Sequence, residues 1–251
     1  MINIILSGCS GKMGRAVTVS VCDDDRCQIV AGFDKNTSAD MPYPVFENPS
    51  GFSENADVII DFSHPSALLP LLDYAVGRNI PAVLCTTGLT SEQISAVMEA
   101  SKKIPVFYSG NMSLGVNLLI ELSKKAASIL GQGFDIEIVE KHHNQKVDAP
   151  SGTALMLADA ISNTLESTPK YEYDRHSKRM MRTKNEIGIH AVRGGNIVGE
   201  HEVIFAGHDE IVTLSHSARS KEVFAVGAVN AALFLTTVEK GLYDMANLIQ
   251  S

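Results

Sequence analysis

The sequence predicts an α/β protein in two parts: a doubly wound parallel sheet, then an α+β region with a mixed sheet. Three observations carry this. Short β-branched runs alternate with helical patterns as far as residue 114. The first run ends in a glycine turn, as a buried parallel strand does. Beyond residue 115 several strands follow one another with few helices between them, the habit of a mixed or antiparallel sheet. A chain of 251 residues is long enough for one large or two modest domains with a real core.

Residues 2–6 form the first strand, ending at Ser7-Gly8, and residues 13–22 the helix that the glycine loop opens. Residues 28–33 are the second strand, closed by Asp34, and residues 58–62, led by Asp57, the next. Residues 65–77 read as a helix with Pro65 in its first turn, where a missing N–H costs nothing. Strand 82–85 leads to a helix over 91–103 that Ser91 caps, and 106–108 is a short strand. Right-handed crossovers join such strands into a parallel sheet. Residues 116–130 then form a long amphipathic helix. In 134–140, Phe134, Ile136 and Ile138 alternate with Asp135 and Glu137, the period of a strand with one covered face. Residues 151–165 are helical, 188–192, 197–205 and 210–217 are strands, and 224–239 is a last helix rich in Ala, Val and Leu.

Composition excludes several function classes. Hydrophobic residues make up 45% and charged residues 20%, ordinary for a globular protein. A net charge of -8 and a pI near 5.5 argue against nucleic-acid binding, which needs a basic surface. The basic run at 175–184 reads as a solvated face. No apolar run reaches the roughly 18 residues of a membrane span, and the first residues lack the basic stretch of a signal peptide. Cys9, Cys22, Cys27 and Cys85 form no C-x-x-C pair. They suit a reducing compartment, the cytoplasm, and neither a disulfide frame nor a zinc site. Cys9, inside a glycine loop, reads as a small filler.

The loop Gly8-Cys9-Ser10-Gly11-Lys12-Met13-Gly14-Arg15 follows the first strand and opens the first helix with the spacing G-x-x-G-x-x-G. Glycines let a backbone approach a pyrophosphate closely, and the amides of a helix start bind the anion. Asp34 lies 20 residues beyond Gly14 at a strand end, where a carboxylate accepts hydrogen bonds from the adenosine ribose. This points to NADH. Lys35 beside it can hold a 2′-phosphate, so NADPH is tolerated. Two further strand-end loops, with Phe62 and Ser63 and with Cys85, Thr86 and Thr87, stand where ligands of such sheets bind.

The densest chemistry is Glu-Lys-His-His-Asn-Gln-Lys-Val-Asp-Ala-Pro-Ser-Gly-Thr-Ala, from Glu140 to Ala154. A metal site fits poorly, because adjacent histidines on a strand point to opposite faces and no third ligand has usual spacing. An anion site with proton donors fits better. Amides of Ser151, Gly152 and Thr153 at a helix start suit a carboxylate, and Lys146, His142 and His143 can neutralise or protonate it.

This stretch resembles the signature of the dihydrodipicolinate reductase family, E-x-H-H-x-x-K-x-D-A-P-S-G-T-A, at every fixed position. The glycine loop, Asp61-Phe62-Ser63, Thr86-Thr87-Gly88, Asn111-Met112-Ser113-Leu114-Gly115-Val116-Asn117 and Arg193-Gly194-Gly195-Asn196-Ile197-Val198-Gly199-Glu200-His201 agree in order, so the likeness covers nearly the whole chain. It departs at Cys85, where glycine is usual, at Met112, where an aromatic residue is usual, and at His64, where arginine is common. The resemblance implies a Rossmann-like dinucleotide domain at 1–114 and 221–251, interrupted by a substrate and tetramerisation domain at 115–220. It implies reduction of a cyclic dicarboxylate, 4-hydroxy-tetrahydrodipicolinate, by NADH or NADPH in lysine and diaminopimelate biosynthesis. His142 becomes the proton donor, Lys146 a second donor and charge partner, and His143, Ser151, Gly152 and Thr153 substrate-binding residues. The cofactor set becomes Gly8 to Gly14, Asp34, Lys35, Phe62, Ser63, Cys85, Thr86, Thr87, Gly110, Asn111, Met112 and Ser113. The family's homotetramer makes the strands between 188 and 217 the candidate contact surface.

Two rivals share the architecture. A semialdehyde dehydrogenase needs a cysteine in its substrate domain, and none follows Cys85. A non-catalytic NAD(H) sensor has the fold but no need of acids beside an anion site.

Overall fold

The computed structural model describes residues 1–250. Along the chain run β1 (Ile2–Ser7), α1 (Lys12–Cys22), β2 (Cys27–Phe33), β3 (Val45–Phe46), β4 (Val58–Asp61), α2 (Leu68–Arg78), β5 (Ala82–Leu84), α3 (Ser91–Ser101) and β6 (Pro105–Tyr108). Next come α4 (Leu114–Leu130), β7 (Asp135–His142), α5 (Gly152–Ser162), β8 (Lys170–Glu172), β9 (Glu186–Arg193), β10 (Gly199–Ala206) and β11 (Ile211–Ala218). The described chain closes with α6 (Glu222–Leu235), β12 (Gly241–Tyr243) and α7 (Met245–Gln250). Two compact units result, Met1–Leu114 with Lys221–Ser251, and Gly115–Ser220. Among the described residues no helix is long and apolar enough to cross a membrane.

The first unit holds a seven-stranded sheet in the order β12-β6-β5-β4-β1-β2-β3, parallel at every pairing. Alternation decides which helices cover which face. Ile4, Leu6, Val58 and Ile60 pack with residues of α1 and α6. Ile5 and Ile59, one residue out of phase, pack with residues of α2 and α3. Both faces are therefore apolar, which is why these strands read as unbroken hydrophobic runs.

The second unit is a five-stranded mixed sheet, β11-β10-β7-β9-β8. β7 runs antiparallel to β10 and parallel to β9. Ile136, Ile138, Ile187, Ile189, Val203 and Phe205 meet Leu119 and Ala127 of α4 and four residues of α5. The opposite face is charged. Arg182 bridges Asp135 at 3.0 Å and Glu137 at 2.9 Å, and Lys141 meets Glu200 at 3.1 Å.

The fold class is the one the sequence predicts, and the differences are local. α3 is capped by Thr90, not Ser91, because Thr90 and Gln93 form a reciprocal capping box. β3, β8 and β12 have two or three residues each, too few to show a period. β7 runs on through His142. The 175–184 run is not simply solvated. Arg175 pairs with Glu186, Lys178 with Glu172 and Arg182 with Glu137, so three of its cations are tied to strand or strand-end carboxylates.

Candidate active site

In the first unit, β1 hands the chain to α1 through Gly8, whose φ of 76° only glycine adopts freely. The Gly11 amide donates to Gly8 O at 3.2 Å. A Cβ at Gly14 would stand 2.3 Å from that same oxygen, so the third glycine lets helix and loop close together. α1 starts at Gly11 with no side-chain cap, while α3 and α5 are capped by Thr90 and Ser151. The first amides of α1 thus lack the internal acceptor that the other two helices supply, the condition for binding an external anion.

A cavity of about 670 Å³ adjoins this loop, lined among others by Gly8, Ser10, Gly11, Asp34, Lys35, Phe62 and Ser63. Asp34 is fixed in its wall. Oδ2 accepts from the Ser10 amide at 3.0 Å and Oδ1 from the Asn36 amide at 3.1 Å. Burial works against its charge, but the hydrogen bonds from Ser10, Asn36 and Lys35 outweigh it and hold its pKa below the usual value.

The remaining expected cofactor residues divide by position. Lys12 is exposed, and Met13 is half-buried against the core. Cys9 is fully buried, with Sγ against Gly32, and burial followed by the nearby Asp34 pushes its thiol up to about 11. It is a filler there, leaving only its backbone to a ligand. Thr86 Oγ1 donates to Asp61 Oδ2 at 2.6 Å and to Ser63 O at 3.0 Å, tying two strand-end loops together. Cys85 and Met112 are both buried in the core, and Thr87 and Gly110 are exposed. Asn111 and Ser113 are buried, and the Ser113 amide donates to Asn111 Oδ1 at 2.9 Å. None of these lines the cavity. The lining includes polar residues that sequence reasoning did not assign, His64 and Glu47 among them. His64 accepts from the Ser66 amide through Nδ1 at 3.2 Å, and Glu47 follows β3 beside the end of β2.

In the second unit, β7 carries its buried side chains at Ile136, Ile138 and Glu140. The apolar stripe becomes acidic one step before the strand ends. Glu140 is fully buried. Its carboxylate accepts from Arg193 Nη1 at 2.8 Å and Nη2 at 2.6 Å, and from the Ser151 amide at 3.0 Å. It also meets His142 Nδ1 at 2.6 Å. Burial alone would raise its pKa, yet the bonds from Arg193, His142 and Ser151 bring it below the ordinary value.

His142 packs edge-on against His201, with ring centroids 5.2 Å apart. His201 Nε2 pairs with Ser151 Oγ at 3.0 Å, and Ser151 Oγ accepts from the Ala154 amide at 3.2 Å, capping α5. Burial, then the neighbouring His142, pushes the His201 pKa down to about 4. Lys146 Nζ meets Asp148 at 2.8 Å. His143 is half-buried, and its Nδ1 has no hydrogen-bond partner among the described residues. Gly152 is exposed and Thr153 half-buried at the start of α5.

The fold therefore gathers His142, Lys146, Ser151, Gly152 and Thr153 around one strand end and one helix start. One expectation needs correcting. The Ser151 amide, assigned to a ligand carboxylate, is committed to Glu140, because a buried carboxylate must itself be satisfied. Sequence reasoning also left out Glu140, Arg193 and His201. The signal was present for the first, since the two-residue step from Glu140 to His142 puts both on one strand face.

Comparison with known proteins bears on the whole chain. The family model described as dihydrodipicolinate reductase, N-terminus, matches residues 2–112, and its C-terminus counterpart matches residues 115–249. A 4-hydroxy-tetrahydrodipicolinate reductase of Caldanaerobacter subterraneus subsp. tengcongensis is 54% identical, covering 100% of this chain and 99% of its own. One of Clostridium novyi is 51% identical over 100% and 99%. The solved dipicolinate-bound dihydrodipicolinate reductase of Paenisporosarcina sp. TG-14 superposes with a TM-score of 0.84 at 26% identity, covering 98% of this chain and 99% of its own.

The buried His201 sets an expectation for stability. It stays neutral in the folded protein down to about pH 4, whereas an unfolded histidine protonates near pH 6.5. Between these values the unfolded chain binds one more proton, so this ring makes stability fall as pH drops, by up to about 1.4 kcal/mol per pH unit. Urea unfolding of His201→Gln across this window is expected to give a shallower pH slope than the parent protein. Equal slopes would show that the ring titrates ordinarily in the fold.

Proposed function

Since the chain belongs to the dihydrodipicolinate reductase family, we propose that the Gly8 loop binds NAD(P)H and that the cluster around His142 binds and protonates the substrate. The chain is an oxidoreductase. It reduces 4-hydroxy-tetrahydrodipicolinate to tetrahydrodipicolinate on the route to diaminopimelate and lysine, with NAD(P)H as reductant and loss of water. The observation that supports our assignment of roles is that Glu140 joins His142 to the Ser151 amide at the start of α5, with Lys146, paired to Asp148, in the loop between them.

The dicarboxylate substrate brings two negative charges. The α5 start, through Gly152 and Thr153, takes one carboxylate, as helix N-termini do. Lys146 and His143 face the other charge and the ring. When bound, the dinucleotide supplies a hydride. Hydride addition to a conjugated imine-type system builds negative charge that a positioned acid must quench. His142 gives that proton, and Lys146 is the second donor. In the cofactor cavity, Asp34 accepts from the ribose hydroxyls and favours NADH. Lys35 holds the 2′-phosphate when NADPH enters, and Glu47 adds a second carboxylate to the same wall. The uncapped start of α1 takes the pyrophosphate.

Our reading extends to assembly and place. The edge strand β11 is open, and Ile211 and Val192 are exposed at 68% and 44%. This supports a homotetramer built through the mixed sheet. The four free thiols suit the reducing cytoplasm.

Three measurements test these roles. In a coupled assay with freshly made substrate, the loss of NADH absorbance is expected to report turnover, and His142→Ala is expected to cut kcat by about 100-fold or more with NADH binding intact. An unchanged kcat would remove His142 from the acid role. Lys35→Ala is expected to raise KM for NADPH while leaving NADH kinetics alone, and equal losses with both cofactors would show that Lys35 does not read the phosphate. Sedimentation velocity is expected to give four times the 27.0 kDa chain mass; a monomer at micromolar concentration would refute the tetramer.

A further inference from the structure

A histidine donor has two ring nitrogens, and the geometry points to Glu140, held by Arg193, as the positioning residue that decides which one delivers the proton. The inference rests on reading His142 as the donor. Glu140 Oε2 lies 2.6 Å from His142 Nδ1. The carboxylate is fully buried and ion-paired to Arg193 through both oxygens. The Ser151 amide adds a further donor at 3.0 Å. With these donors converging on it, the group stays ionised, and an ionised carboxylate only accepts. His142 Nδ1 must then carry a hydrogen whether the ring is neutral or charged. Proton exchange is left to Nε2 alone.

The surroundings of Nε2 agree. Gly199 of β10 lies beside it, and a Cβ there would stand 3.1 Å from Nε2. The missing side chain keeps space for a ligand atom. In the transfer, the Nε2–H bond breaks, and the proton passes to the substrate atom that gains the electron pair as hydride adds. The ring is left neutral with Nδ1–H still on Glu140. Glu140 never changes protonation state.

Charge around the ring comes from every neighbouring element. Glu140 precedes it on β7, Arg193 is its register partner on β9, His201 packs against it from β10, and His216 of β11 lies beyond as the partner of His201. Lys146, paired with Asp148, comes from the loop that follows. His201 and His216 are both shifted toward the neutral form by burial. Among the described residues Glu140 is the carboxylate in direct contact with the ring.

Full-length Glu140→Gln and Glu140→Asp, assayed beside the parent and His142→Ala, test this. Parent turnover and the His142→Ala loss report on the donor reading by themselves; their failure would sink that reading before this one. Given both, Glu140→Gln is expected to lower kcat by about 100-fold or more through loss of the correct tautomer. KM for substrate and NADH binding should change little. Glu140→Asp, which keeps the charge, should recover part of kcat. Long-range ¹⁵N–¹H spectra of histidine-labelled parent protein should show His142 in its neutral form as Nδ1–H only. A kcat equal to the parent in Glu140→Gln, or a fall that Glu140→Asp does not partly recover, would overturn the proposal. So would an Nε2–H tautomer in the parent, which decides the matter even if Glu140→Gln does not fold.

Discussion

The second unit is organised by one buried charge. Glu140 sits where the apolar stripe of β7 would otherwise continue, and an unpaired carboxylate there would cost several kcal/mol. Two of the groups that satisfy it come from other elements, Arg193 from β9 and the Ser151 amide from the start of α5, and the third, His142, lies two residues on along β7 itself. Satisfying the charge thus fixes the end of β9, the entry of α5 and the orientation of an imidazole together. A buried ion pair is weak evidence for stability, because apolar replacements often serve as well. Its value here lies in geometry.

The same strand alternation that builds the core builds the site. On β10, Val203 and Phe205 belong to the core, and the next residue of that face is His201, followed by Gly199. On β7 the sequence is Ile136, Ile138, Glu140 and then His142. Both strands leave the helix-covered region in the same direction, so polar groups collect at one end of the sheet. The cross-strand register pairs Glu140 with His201, and His201 with His216. An acidic group thus sits beside a row of rings in a poorly solvated place, which suppresses protonation of His201 and leaves the partly exposed His142 beside a carboxylate.

The two helix starts solve opposite problems. α5 has an internal cap at Ser151, and the same serine supplies the amide that Glu140 needs. That amide is therefore already taken when α5 begins. α1 has no side-chain cap, and its loop is shaped instead by a positive-φ glycine and by Gly14 packed on Gly8 O. Glycine at the cap position leaves the first amides to whatever occupies the cavity. A motif of three glycines thus encodes a missing internal partner, while Pro-Ser-Gly-Thr encodes a rationed one.

This difference explains what could be read from sequence. Periodicity gave the two sheets, and the spacing of Gly8 to Gly14 gave the strand-loop-helix turn beside the cavity, because both are local. Asp34 was legible for the same reason, as it ends the strand that follows. Arg193 was visible as a residue of a matching motif but not as a partner, since its carboxylate lies 53 residues earlier in the chain. Nothing local distinguishes an arginine that will meet water from one that will meet Glu140. His201 is a similar case: its separation of 50 residues from Ser151 is closed only when β10 takes its place against β7. The error over the Ser151 amide follows directly. A helix start read alone offers all its first donors to a ligand, and only knowledge of a distant buried carboxylate shows that one is already taken. The candidate donors were readable because they stand as particular side chains in a short span. The groups that aim them were not, because aiming is a property of the packed sheet.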